Sequence, residues 1–120
     1  MNSGTGGCSF MSVLICIAAG IKPIITSSSD DKLARLLKLS PTVHGINYRT
    51  TDVKAEVLKI TDGKGVDFIL NNVGLSSIPD DLEMVRRSGS IAFVGFLGGF
   101  EADWSPQVLL TLLLKACKIQ

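Results

Sequence analysis

"GTGGCS", residues 4–9, stands directly before the apolar run "FMSVLICIAAG" of residues 10–20. Glycines at this spacing let a backbone turn tightly and approach a phosphate, and the amides and dipole of a following helix complete the cradle. A loop of this kind normally hangs between the end of a strand and the start of a helix, yet only Met1, Asn2 and Ser3 precede it. Two questions therefore decide the fold: whether the residues that follow alternate as strand and helix, and what replaces the strand expected in front of the loop.

The alternation is legible from the loop onward. Residues 8–19 read as a helix that is apolar nearly all round, and so deeply covered. "KPIIT", residues 22–26, is a short buried strand with its proline at the start, where a missing N–H is tolerable. Ser29 can cap a second helix whose first turn holds Asp30 and Asp31, whose face is Leu33, Leu36 and Leu37, and which Pro41 ends. A brief strand over 45–48 precedes a helix over 52–61 that buries Val53, Val57 and Ile60 at helical spacing. "DGKG", 62–65, is a turn; "VDFIL", 66–70, is a buried strand of the parallel kind; "NNVG", 71–74, is the loop at its carboxyl end. Leu82 and Val85 mark a short helix that stops at Ser88-Gly89, with Asp80 and Asp81 as its exposed start. "SIAFVGF", 90–96, is the next strand, and Ser105-Pro106 opens a last helix to about Cys117. Strands alternating with helices specify a parallel sheet with helical crossovers, an α/β chain.

Composition fits one such domain. At 120 residues, 46% of them hydrophobic and 19% charged, the chain is long enough for a single core and lacks the signature of disorder. A net charge of +1 offers no basic footprint for nucleic acid and no polybasic patch for a membrane surface. Cys8, Cys16 and Cys117 are widely spaced, with no CxxC pair, and read as buried or incidental thiols of a cytoplasmic protein, not as metal ligands. The single histidine, His44, is read as a loop residue, not a base. The run 10–20 has the length of a signal-peptide core, but no Lys or Arg occurs before Lys22, and a membrane span needs about 20 apolar residues.

The ordered string "GTGGCS…AAG…IITSSSDDKL…INYRT…EVLKITDGKGVDFIL…FVGFLGG" resembles the cofactor-binding domain of the medium-chain dehydrogenase/reductase superfamily, in particular its zinc-type alcohol dehydrogenase and quinone reductase-like branches. The resemblance covers practically the whole chain and implies a Rossmann-type doubly wound parallel sheet, truncated so that its first and last strands are missing: a partial NAD(P)-binding domain over 1–120, without the catalytic domain. By resemblance Gly4, Gly6, Gly7, Cys8 and Ser9 take the pyrophosphate, although Ser9 stands where the fingerprint has its third glycine. An Asp or Glu roughly 20 residues past the glycines grips the ribose of NAD. Ser27 and Ser28 fill that place here, followed by Lys32. In NADP-using relatives the matching Ser, Lys and Tyr contact the 2′-phosphate, so Ser27, Lys32 and Tyr48 inherit those roles and NADP is preferred over NAD. Asn72, Gly95, Phe96 and Leu97 inherit places beside the ribose and nicotinamide. Val73 stands where a second glycine is common, and "LSPTV", 39–43, replaces the usual turn.

The implied function is that of an NADP-dependent oxidoreductase whose substrate-binding and metal-binding domain is missing, so no metal and no catalytic residue is assigned. The absent first strand would be the centre of a sheet ordered 3-2-1-4-5-6. Its neighbours "KPIIT" and "VDFIL" either pair directly, gain a strand from another chain by self-association or by pairing with a full-length relative, or leave a marginal product. A non-catalytic interaction or regulatory protein that keeps the fold is the rival reading, and a secreted protein with a cleaved start is a third.

Overall fold

The computed structural model describes residues 7–95, 101–102 and 104–120. The chain divides into two compact units between Val53 and Lys54.

The first unit is built of α1 (Gly7–Ala18), β1 (Ile24–Ser27), α2 (Asp30–Leu37) and β2 (His44–Asn47). β1 and β2 run parallel, in register from Ile24 opposite His44 to Ser27 opposite Asn47. Ser29 caps α2 as its type predicts, accepting a hydrogen bond from the Lys32 amide at 3.4 Å. The core joins Val13 of α1, Ile25 of β1, Leu33 and Leu36 of α2, and Val43, with Ile17 packed against them. Each such side chain is worth about 1.5–3 kcal/mol when fully buried.

Three expectations change in this unit. The first helix is not deeply covered: Val13 is buried, but Phe10, Met11 and Ile15 are 38%, 55% and 64% exposed. A sheet of two strands is too narrow to cover more than one stripe of an all-round apolar helix. Leu37 leaves the buried face of α2, which keeps only Leu33 and Leu36. His44 is the first residue of β2, exposed, its amide donating to the Pro23 carbonyl at 2.9 Å.

The second unit contains α3 (Val53–Ile60), whose first residue precedes the division, then β3 (Val66–Asn71), a 3-10 turn (Leu75–Ser77), α4 (Ile78–Met84), β4 (Val85–Phe93), α5 (Pro106–Lys115) and β5 (Lys118–Ile119). The strand order is β3-β4-β5, parallel throughout. α4 packs on α5, and α5 on β4. Its buried apolar residues include Val57, Ile69, Ile78, Leu82, Met84, Val85, Ile91 and Val108. At the expected turn Asp62, Gly63 and Gly65 all have positive φ. There the Thr61 hydroxyl donates to the Val57 carbonyl at 2.8 Å and accepts from the Gly65 amide at 3.0 Å.

Val85 opens β4 instead of ending the helix before it, so this strand starts five residues earlier than the alternation at 90–96 suggests and stops at Phe93. Its register slips: Val66 faces Val85, but Phe68 faces Ser90, leaving Arg86 to Gly89 looped out. Ser105 and Pro106 open α5 as expected, with the Ser105 hydroxyl accepting from the Val108 amide at 3.4 Å. The helix stops at Lys115, because Ala116 turns left-handed with φ 47°. Leu109, Leu110, Leu113 and Leu114 of α5 are exposed. "ACKIQ" itself contains β5, beside β4, where the expectation placed the last strand beyond it. β1 (of "KPIIT") lies in a two-stranded sheet with β2, and β3 (of "VDFIL") in a three-stranded one with β4 and β5. Among the described residues, no helix is long and apolar enough to cross a membrane.

Candidate functional site

In parallel α/β sheets ligands lie outside the carboxyl ends of the strands, where helix N-termini and loops present unpaired donors. Ser27 ends β1 and is buried, and its carbonyl accepts from the Tyr48 amide at 3.2 Å just past the end of β2. Its hydroxyl accepts from the Ser29 amide at 3.3 Å, which fixes the turn into α2. Lys32 sits in the first turn of that helix, exposed, and Tyr48 is 52% exposed. Ser27, Lys32 and Tyr48 are thus gathered at one end of the β1–β2 pair, with half-buried Ser28 between strand and helix.

Two further residues, Asn47 and Arg49, belong to the same end of the pair. Asn47 donates through Nδ2 to the Asp30 carboxylate at 2.9 Å and accepts through Oδ1 from the Arg49 amide at 3.0 Å, so one side chain ties the end of β2 to the start of α2. Arg49 is exposed beside Tyr48 and adds a second cation to Lys32. Both flank Tyr48 in "INYR", 46–49.

In the second unit the same ends are those of β3 and β4. The Val94 amide donates to the Asn71 carbonyl at 2.9 Å, and a Cβ added to Gly95 would lie 3.3 Å from the Asn72 carbonyl oxygen. The loops following the two strands therefore touch, with Asn72 and Gly95 at the contact. Gly95 leaves room that a side chain would take.

Under the first loop lies a buried polar cluster. Asp81, expected at an exposed helix start, is 1% exposed, whereas Asp80 does face solvent. Ile78, Asp81, Leu82 and Val85 recur at helical spacing, which turns Asp81 inward with the apolar face of α4. Its carboxylate accepts from the Asn71 amide group, and from the Ser77 hydroxyl at 3.3 Å. Burial pushes Asp81 up to about 6, against the lowering effect of those two hydrogen bonds. Elsewhere in the unit burial also pushes the Cys117 thiol up and the Lys115 ammonium down.

Of the remaining site residues, Gly4 and Gly6 lie outside the described residues, as do Phe96 and Leu97. Gly7, Cys8 and Ser9 form the first turn of α1, where a helix start after the glycine loop was expected.

The zinc-binding dehydrogenase family matches residues 7–119. A zinc-type alcohol dehydrogenase-like protein of Schizosaccharomyces pombe is 37% identical over 95 residues, 78% of this chain and 27% of that protein. The crystal structure of a 2-haloacrylate reductase superposes with a TM-score of 0.86 at 30% identity, covering 99% of this chain and 36% of that one. Escherichia coli quinone oxidoreductase, solved in complex with NADPH, superposes with a TM-score of 0.85 at 25% identity, covering 99% of this chain and 36% of that one. The chain thus spans between about a quarter and just over a third of these relatives' length. With a parallel α/β fold of that kind and a family match over nearly all its residues, the chain belongs to the zinc-binding dehydrogenases of the medium-chain dehydrogenase/reductase superfamily, a family of oxidoreductases.

Proposed function

We propose that these 120 residues are the cofactor-binding part of an NADP-dependent oxidoreductase of the cytoplasm, and that they bind NADPH in preference to NADH. The carrying observation is the gathering of Ser27, Lys32 and Tyr48 at the carboxyl end of the β1–β2 pair, with a hydroxyl where an NAD site has a carboxylate. Lys32 and Arg49 supply positive charge for a 2′-phosphate, and the Asp30 carboxylate is occupied by Asn47. Gly4, Gly6, Gly7, Cys8 and Ser9 would take the pyrophosphate, and Asn72, Gly95, Phe96 and Leu97 the nicotinamide half. A bound nicotinamide supplies the hydride, and these residues only bind and orient it. Hydride transfer also needs a substrate carbon oriented against the nicotinamide, and a cofactor-binding part provides only one of the two reactants, so residues 1–120 alone should not turn over quinones, aldehydes or enones.

The test is titration of residues 1–120 with both nucleotides. Charge-assisted hydrogen bonds worth about 1.5–3 kcal/mol each give a roughly ten- to thousandfold preference for NADPH. Lys32→Glu should reverse or abolish it. Equal affinity of the unaltered chain for both nucleotides refutes the assignment.

A further inference from the structure

Asp81 has no part in the function just proposed, yet it is the most completely buried acid among the described residues. One of its oxygens, Oδ1, is shielded from solvent and has no hydrogen-bond partner among the described residues. The other, Oδ2, accepts from Asn71 Nδ2 and from the Ser77 hydroxyl. Asn71 is fully buried too, and its amide is committed at both ends. Nδ2 also donates to Ser77 Oγ at 2.6 Å, while Oδ1 accepts from the backbone amides of Val73 at 2.8 Å and Gly74 at 3.0 Å.

We propose that Asp81 is a positioning residue for the loop of residues 71–74, acting through the Asn71 side chain, whose orientation it selects and by which the loop after β3 is held in one shape against the loop after β4. An amide has a donor end and an acceptor end, whereas a carboxylate only accepts. Charged Asp81 therefore admits one orientation of Asn71, with Nδ2 toward the acid and Oδ1 toward the two loop amides. The reversed amide would set its NH2 against the N–H groups of Val73 and Gly74. A neutral group at position 81 can donate as well as accept, so the acid's share of that preference is lost while the Val73 and Gly74 amides and the Gly74 carbonyl, 3.4 Å from Nδ2, keep theirs. The device works while Asp81 carries its charge.

Because burial pushes Asp81 up to about 6, the charge is lost in mildly acidic solution. The charged groups around it are engaged elsewhere. Asp80 and Glu83 of α4 pair with Lys54 of α3 at 3.3 and 3.1 Å. Lys115 of α5 donates to the Glu83 and Val85 carbonyls, and Arg86 of β4 pairs with Asp67. Arg87 of β4 is exposed, and the 3-10 turn carries no charge. None of these is hydrogen-bonded to Asp81; the charge of neighbouring Asp80 adds a smaller push in the same direction as burial. Insofar as it bears on the cofactor, the inference rests on the proposed function, in which Asn72 lies beside the nicotinamide half.

The experiment is amide hydrogen exchange of the full 120-residue chain by NMR, corrected for intrinsic rates. Protection of Val73 and Gly74 should fall about tenfold from pH 8 to pH 5, as two neutral hydrogen bonds are lost from the population. In Asp81→Asn their protection should be low at both pH values and independent of pH. Protection in the unaltered chain that does not change through pH 6 overturns the proposal, and this result stands even if the variant does not fold. NADPH affinity should fall by a similar factor over the same range in the unaltered chain and stay flat in the variant. Absence of NADPH binding at every pH would instead refute the proposed function, leaving the exchange profile to decide the role of Asp81.

Discussion

Asp81→Asn keeps the shape of a buried side chain and removes its charge, so it isolates the cost of that charge. In the unfolded chain the carboxyl titrates near its ordinary 3.8; in the fold burial raises it to about 6. The folded state holds its proton more tightly, so between these values the native state binds more protons and stability falls as pH rises. At about 1.4 kcal/mol per pH unit, the interval amounts to about 3 kcal/mol at pH 8 and less than about 1 kcal/mol at pH 4. Urea unfolding of the unaltered chain and of Asp81→Asn at both pH values measures it. The variant should be more stable by about 3 kcal/mol at pH 8, and the two should nearly coincide at pH 4. Every other acid is the same in both proteins and cancels in the difference. A variant less stable than its parent at pH 8, or a difference that does not change with pH, would refute the reasoning. A global gain beside a loosened 71–74 loop is the combined signature, because burial cost and orientation are separate consequences of one charge.

Gly63 and Gly65 both have positive φ, but a Cβ at Gly63 meets nothing within 4 Å, whereas one at Gly65 would lie 2.6 Å from the Met84 carbonyl oxygen and 2.8 Å from the Arg86 nitrogen. Gly63→Ala should cost about 1–2 kcal/mol by backbone strain, and Gly65→Ala at least about 2 kcal/mol more, read from urea midpoints; equal costs would contradict the close approach. Lys115 closes the end of α4 by donating to the Val85 carbonyl at 2.7 Å and the Glu83 carbonyl at 3.1 Å. Lys115→Met should lower stability by about 1–3 kcal/mol, and an unchanged thermal midpoint would show those carbonyls satisfied otherwise.

Periodicity and capping chemistry carried most of the fold. Ser29 and Ser105 announced their helices because a hydroxyl before an acidic or proline-led first turn has few other uses. Val85 was misread because helix and strand periods coincide over the few residues where α4 passes straight into β4; the looped-out Arg86 to Gly89 then hid the strand's true start. Apolar faces were overestimated in α1 and at Leu37, since a sequence shows which residues can be buried and not how wide a neighbouring sheet is. Ser27, Lys32 and Tyr48 were legible by spacing and resemblance. The Asn71–Ser77–Asp81 cluster was not, because Asp80-Asp81 has the look of charge placed to complement a helix dipole, and only the three-dimensional path of α4 separates the exposed acid from the buried one.

The leucines on the outer side of α5 bear on how this chain behaves in a tube. Leu113 and Leu114 are 76% and 66% exposed, on a molecule whose formal net charge is +1 and whose isoelectric point is about 7.7. Near neutral pH almost no mutual repulsion keeps two copies apart, so colloidal stability is at its lowest where most binding assays are run. Moving toward pH 5 raises the positive charge and disperses the chain. Titrations near neutral pH are therefore best made at low micromolar concentration, so that turbidity is not taken for a ligand effect.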